Sequence, residues 1–217
     1  MTHATEAQLR PTSIAGVLML VGAALVLITI GFEYRIGWIG VPRDTAGVTD
    51  FVAANWVDLK RIWTWQALGH TCFTVAYLLR VMDSEGTEAA LWALLMICGL
   101  VVIIAFGLTL GGTGPALRVV TTEPWVYETL RGLIRGLYSP GGFVGMAAFT
   151  VMFTYHTVAK LGIVGRRRGG ITLGIVVAAI LLGATTSLDI KVTGALWFLL
   201  PAVMGISLID EGRNRRQ

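Results

Sequence analysis

Long apolar runs separated by short polar turns constrain this chain more than any other feature. Residues 14–32 contain no charged side chain, and about 20 apolar residues suffice for a helix to cross a bilayer. Backbone N–H and C=O groups find no partner in hydrocarbon, so such runs must be helical. Comparable runs follow at 62–82, 88–110, 142–164, 171–188 and 194–209. They predict an all-α fold, a polytopic six-helix transmembrane bundle forming one integral membrane domain over residues 1–217. Composition agrees: 55% hydrophobic residues, 14% charged residues and a mean hydropathy of +0.73 lie far from an ordinary soluble domain. The run at 14–32 is longer than a signal-peptide core of roughly 7–15 residues and has no small-residue cleavage site behind it, so it reads as a retained first span.

Two segments between the runs carry helical amphipathic patterns. Val52, Trp56, Leu59 and Trp63 share one face of a helix over about 49–61, and Val126, Leu130, Leu133 and Leu137 share one face over about 122–138. Both read as interfacial helices in outer loops. In the second, Glu128 is placed to pair with Arg131, and Arg131 and Arg135 turn toward headgroups. A lid over a cavity is the other reading of that helix. Ser139-Pro140-Gly141-Gly142 reads as a hinge, and Gly111-Gly112-Thr113-Gly114-Pro115 as a helix break. The latter lacks the Gly-Lys-Ser/Thr ending that makes a phosphate loop.

The net charge of +4 and pI near 9.4 trace to span ends and the tail, so they report topology and not nucleic-acid binding. Six spans put both termini on one side. The block Arg166-Arg167-Arg168 in a short loop, joined by Arg10, Arg80, Lys160, Arg213, Arg215 and Arg216, assigns that side to the cytoplasm of a multi-pass inner-membrane protein. Gly170, Gly174 and Ala178, and likewise Gly141 and Gly145, recur every four residues and suit close helix approach, within the bundle more readily than between copies. Oligomeric state is left open. Phe73-Thr74-Val75 recurs as Phe149-Thr150-Val151, a register that aligns Arg80 with His156, and Trp56-Val57 recurs as Trp125-Val126. The pattern hints at a parallel repeat around a central cleft.

Chemistry-bearing residues are few. The ionisable groups inside spans are His70, Arg80, His156 and Lys160. Arg80 and Lys160, near the inner ends, are expected to snorkel to phosphates. His156 and His70 are the candidate ligand-contacting or cavity-wall residues, with Tyr155, Tyr77 and Arg80 beside them and Thr154 and Gln66 as further polar neighbours. A haem held by both histidines is disfavoured. At 1.5 Å rise per residue they lie at unequal depths, roughly 12 and roughly 21 Å. No cofactor and no metal is expected: Cys72 and Cys98 lack C-x-x-C spacing and read as buried packing. Glu33, Asp58, Glu123, Glu128 and Asp189 fall at or beyond the outer face without forming a catalytic constellation.

The leading functional expectation is a non-enzymatic membrane module that binds a lipid, a small apolar ligand or a partner membrane protein in a cleft among the first four spans. The alternatives are a facilitative transporter or channel for a small neutral solute, and a haem- or quinone-binding membrane redox protein.

Several short motifs also resemble a family of small bacterial six-span membrane proteins known only as a domain of unknown function. They are Ile14-Ala15-Gly16, the acidic loop before residue 62, Tyr77-Leu78-Leu79, and the stretch from Glu123 to Gly142 leading into a histidine-bearing span. The resemblance implies a six-span fold over nearly the whole chain and no particular activity. The chain departs from it at Arg166-Arg167-Arg168, where a Ser-Gly-x-Leu-Pro type of link is expected.

Overall fold

The computed structural model describes residues 11–159, 162–185 and 194–214. The described chain is all helical. Its helices are α1 (Pro11–Arg35), α2 (Thr45–Ala54), α3 (Trp56–Met82), α4 (Gly86–Arg118), α5 (Pro124–Val158), α6 (Arg166–Thr185) and α7 (Leu199–Asn214), the last entered through a 3-10 turn at Leu196–Phe198. Four of them, α1, α4, α5 and α6, are long and apolar enough to cross a membrane. α3 has the length, but Gln66, His70, Thr71 and Thr74 make it less apolar. Ile28, Ile97, Ile104, Val151 and Leu181 lie exposed on the outside of the bundle, a surface suited to lipid tails. Lys160, Asp189, Lys191, Arg10, Arg215 and Arg216, and the ends of the runs expected at 142–164 and 171–188, lie outside the described residues.

α1 packs between α3 and α7, α4 packs between α3 and α5, and α6 bridges α5 and α7. The core fills the space they share: Met19 and Ala23 of α1, Phe73 and Tyr77 of α3, Trp92 and Leu95 of α4, Phe149 and Phe153 of α5, and Leu200 and Met204 of α7. Glycine sets the closest approaches. A Cβ on Gly16 would stand 2.5 Å from the Gly205 carbonyl oxygen, and one on Gly22 would stand 2.8 Å from that of Gly69. These pairs let α7 and α3 approach α1 backbone to backbone. Gly141 and Gly145 face Val101 and Cys98 of α4, as their spacing suggests, whereas Gly170, Gly174 and Ala178 point outward and pack on nothing within the bundle.

Three local expectations are corrected. The proposed hinge at Ser139–Gly142 does not exist, because α5 runs unbroken through Pro140. Proline removes one N–H and so one helical bond, and packing of Gly141 and Gly145 on α4 keeps the axis going. The glycine-rich stretch at 111–115 likewise stays inside α4, since Gly112 and Gly114 provide the room that Leu130 and Trp56 occupy. Conversely, the helix expected over 49–61 is split at Asn55, whose side chain donates to the Phe51 carbonyl at 2.9 Å and ends α2. Its predicted apolar face survives the break, with Val52 and Leu59 both buried.

Because the Gly16 site meets backbone and not a flexible side chain, Gly16→Val is expected to destabilise the protein by about 1–3 kcal/mol. Gly174→Val on the outward face should stay within about 0.5 kcal/mol of wild type. Reversible unfolding in mixed micelles distinguishes the two.

Candidate functional site

Two polar centres occupy opposite ends of the bundle. The first is a cavity of about 450 Å³ between α1, α3, α4 and the first half of α5. Val26, Ile30, Trp38, Val52, Trp63, Phe106, Ile134 and Phe198 supply its apolar wall. Its size falls in the roughly 300–1,000 Å³ range of small-molecule sites.

Each wall follows from a helical face. On α1 the buried positions Met19, Ala23, Val26, Thr29 and Glu33 step by three or four residues, so the stripe that packs the core ends in a carboxylate. Glu33 is only 6% exposed, and Trp63 Nε1 donates to its Oε1 at 2.7 Å. Glu33, read from sequence only as lying at or beyond the outer face, is thus buried against α3. α3 contributes Gln66 and His70 one turn apart, and His70 is flanked by the rings of Phe73, Phe106 and Phe198 at 6.0, 5.4 and 6.3 Å. The first half of α5 closes the cavity with Tyr127, Leu130, Arg131, Ile134 and Tyr138. The inward face is therefore one position away from the Val126–Leu130–Leu133–Leu137 stripe, and Leu133 is exposed. Arg131 lines the cavity instead of facing headgroups, and among the described residues it forms no ion pair with Glu128.

Hydrogen-bonding capacity is left over in this wall. Gln66, Thr113 and Tyr127 are buried as residues and His70 is half-buried, yet none makes a side-chain hydrogen bond with a described residue apart from ring packing. None of their polar atoms is among the fully buried unpaired ones, so they open onto the cavity, where water or a ligand can reach them. Thr109 differs, because its hydroxyl donates back to the Ala105 carbonyl at 2.8 Å.

The second centre lies at the other end of α4. There one oxygen of Glu88 accepts from Arg80 Nη2 at 2.8 Å, Trp92 Nε1 at 3.1 Å and Ser84 Oγ at 3.1 Å, with His156 Nε2 3.5 Å away. Arg80 Nη1 also reaches Asp83 at 3.0 Å, and Thr12 of α1 donates to the same Asp83 oxygen. Arg80 is 6% exposed, so it does not snorkel to phosphates as expected from sequence. A carboxylate that can neutralise it is nearer than the headgroups. His156 is 3% exposed, and neither of its ring nitrogens has a hydrogen-bond partner among the described residues.

The sequence candidates therefore separate. His70 and Gln66 border the cavity, whereas His156 and Arg80 meet at Glu88, away from it. Tyr77 stacks in the core between Phe73 and Trp92, Tyr155 is 52% exposed on the outside, and Thr154 returns its hydroxyl to the Thr150 carbonyl. His70 packs on Phe106 and His156 on Trp92, and those two α4 residues are about 21 Å apart at helical rise. The two histidines do not share a ligand-sized space. Sequence reading missed Glu33, Glu88, Arg131 and Trp38. Even Glu33 had little signal, because α1 is apolar on every face and its buried stripe shows only in the folded bundle.

Arg80→Met leaves the partly buried Glu88 without its cation and is expected to destabilise the fold by roughly 3 kcal/mol. Glu88→Leu is expected to cost less, because Arg80 keeps Asp83 at 3.0 Å. The double variant should lose less than the sum, measured as a double-mutant cycle of micellar unfolding free energies.

No protein-family model, curated protein or solved structure matches this chain, so the resemblance read from its short motifs rests on those motifs alone.

Proposed function

We propose that this chain is a six-span integral membrane protein that binds a lipid or another small apolar ligand in the cavity between α1, α3, α4 and α5. The observation that carries the reading is an apolar chamber of about 450 Å³ whose wall holds Gln66, His70, Thr113 and Tyr127 without hydrogen-bond partners among the described residues. Apolar enclosure supplies affinity, and a few placed polar groups supply orientation. The spans are α1, α3, α4, the second half of α5, α6 and α7. Arg166, Arg167 and Arg168 at the start of α6 support cytoplasmic termini, by the bias of short basic loops toward that side. The cavity then faces the outer half of a bacterial inner membrane, with the first half of α5 as its cover. Membrane lipids, and a partner membrane protein against the lipid-facing surface, are the partners of this reading. The protein acts as a binding module and not a catalyst.

A second reading, a facilitative carrier for a small neutral solute, is favoured by the position of the Arg80–Glu88–His156 cluster. It ties α3, α4 and α5 together at the end opposite the cavity, where a carrier open to one side is closed to the other.

Ile134→Trp places a larger ring in the cavity. Its expected outcome is at least tenfold less co-purifying apolar ligand by native mass spectrometry, with unchanged helicity. Undiminished ligand would remove the cavity as its binding place. Solute flux into proteoliposomes that exceeds empty liposomes would favour the carrier.

A further inference from the structure

We infer that the cavity takes a neutral carbonyl-bearing aromatic or quinonoid ring, the chemistry of a quinone head group with a short apolar tail. This rests on the ligand-binding reading above and specifies the class of ligand.

The unspent polar groups are rich in donors. Gln66, His70, Thr113 and Tyr127 can each donate and accept, and the Arg131 guanidinium can only donate, so the balance of the wall tips to donors. The one carboxylate in the wall, Glu33, already accepts from Trp63. A ligand that completes this wall must therefore bring acceptors. It need not bring charge, because the formal charges of Glu33 and Arg131 cancel and a net ionic ligand would be desolvated without an unbalanced counter-charge.

Shape selects a ring over an acyl chain. Trp38, Trp63, Phe106, Tyr127, Tyr138 and Phe198 all border the same space. Aromatic faces and edges gain from a planar partner in offset or edge-to-face arrangement beyond the area buried, and a methylene chain forgoes that gain. His70 is held by its three phenyl neighbours, and its ring nitrogens have no bond to a described residue. An imidazole N–H held in that way suits a carbonyl oxygen on a ring stacked among them. Val26, Ile30 and Val52 leave an apolar remainder for a short side chain.

The test uses the protein in detergent, titrated with a short-chain benzoquinone while the intrinsic tryptophan fluorescence, to which Trp38 and Trp63 contribute, and the thermal midpoint are read together. The expected result is saturable quenching with a rise in midpoint, as ligand binding to the folded state requires. His70→Phe and Gln66→Leu should each weaken binding about fivefold to tenfold, the loss of one hydrogen bond. Val57→Ala, on an exposed surface away from the cavity, should leave the quinone affinity within about threefold. Palmitate and lysophosphatidylcholine serve as competing probes on the wild type, so the result does not depend on any variant folding. If either binds saturably and quinone neither binds nor displaces it, the ring is overturned and the cavity remains a lipid site. If no probe binds, the ring and the ligand-binding reading both fail. Palmitate that binds at least tenfold more tightly than quinone and loses that advantage in Arg131→Gln overturns the neutral ligand in favour of an anionic one.

Discussion

The oxygen of Glu88 that faces Arg80, Trp92, Ser84 and His156 is the point on which one end of the bundle depends. It joins α3, α4 and α5, and Asp83 extends the network to Thr12 of α1. In a medium that offers no water to an isolated charge, a guanidinium such as that of Arg80 must find its counter-charge inside the protein. Once Arg80 and Glu88 are paired, the vertical register of α3 against α4 is set. The rows of aromatic residues above them, Tyr77 on Trp92 and Phe149, follow from that register.

The cavity sits where that packing stops. Toward the Glu88 end the helices interlock through Phe73, Tyr77, Trp92, Phe149 and Trp197. Beyond Val26 and Phe106 the same helices are held apart by α5, whose first half reaches over with Tyr127, Ile134 and Tyr138 and does not fill the space beneath. α5 can do this because it is one continuous helix, 35 residues long, that core packing anchors at its far end. Packing and ligand space are thus two ends of one arrangement: Phe149 and Phe153 fix the helix that roofs the chamber.

Amphipathic periodicity was legible where a helix buries one narrow face against neighbours of its own hairpin. The burial of Val52 and Leu59 is of that kind. It misled where the partner is distant. In the first half of α5 a Leu stripe outweighed Tyr127, Arg131 and Ile134 by hydropathy, yet those residues turn inward because the space they face is a half-polar chamber and not a dry core. Proline and glycine clusters misled for a related reason. Each loses little helical bonding, and close neighbours such as Leu130 at Gly112 and Val101 at Gly141 stabilise the helical course over a bend.

The amino-acid sequence by itself determined that this chain is helical and apolar enough to lie in a membrane, because span length and backbone hydrogen bonding admit no other solution there. It also determined that few ionisable groups would be buried. Which of them meet was decided only by tertiary structure. Trp63 finds Glu33 across 30 residues, Thr12 finds Asp83 across 71, and His156 reaches the carboxylate of Glu88 from another hairpin. A pattern read along one helix gives the face a side chain occupies, and the group opposite it depends on how helices distant in sequence are brought side by side.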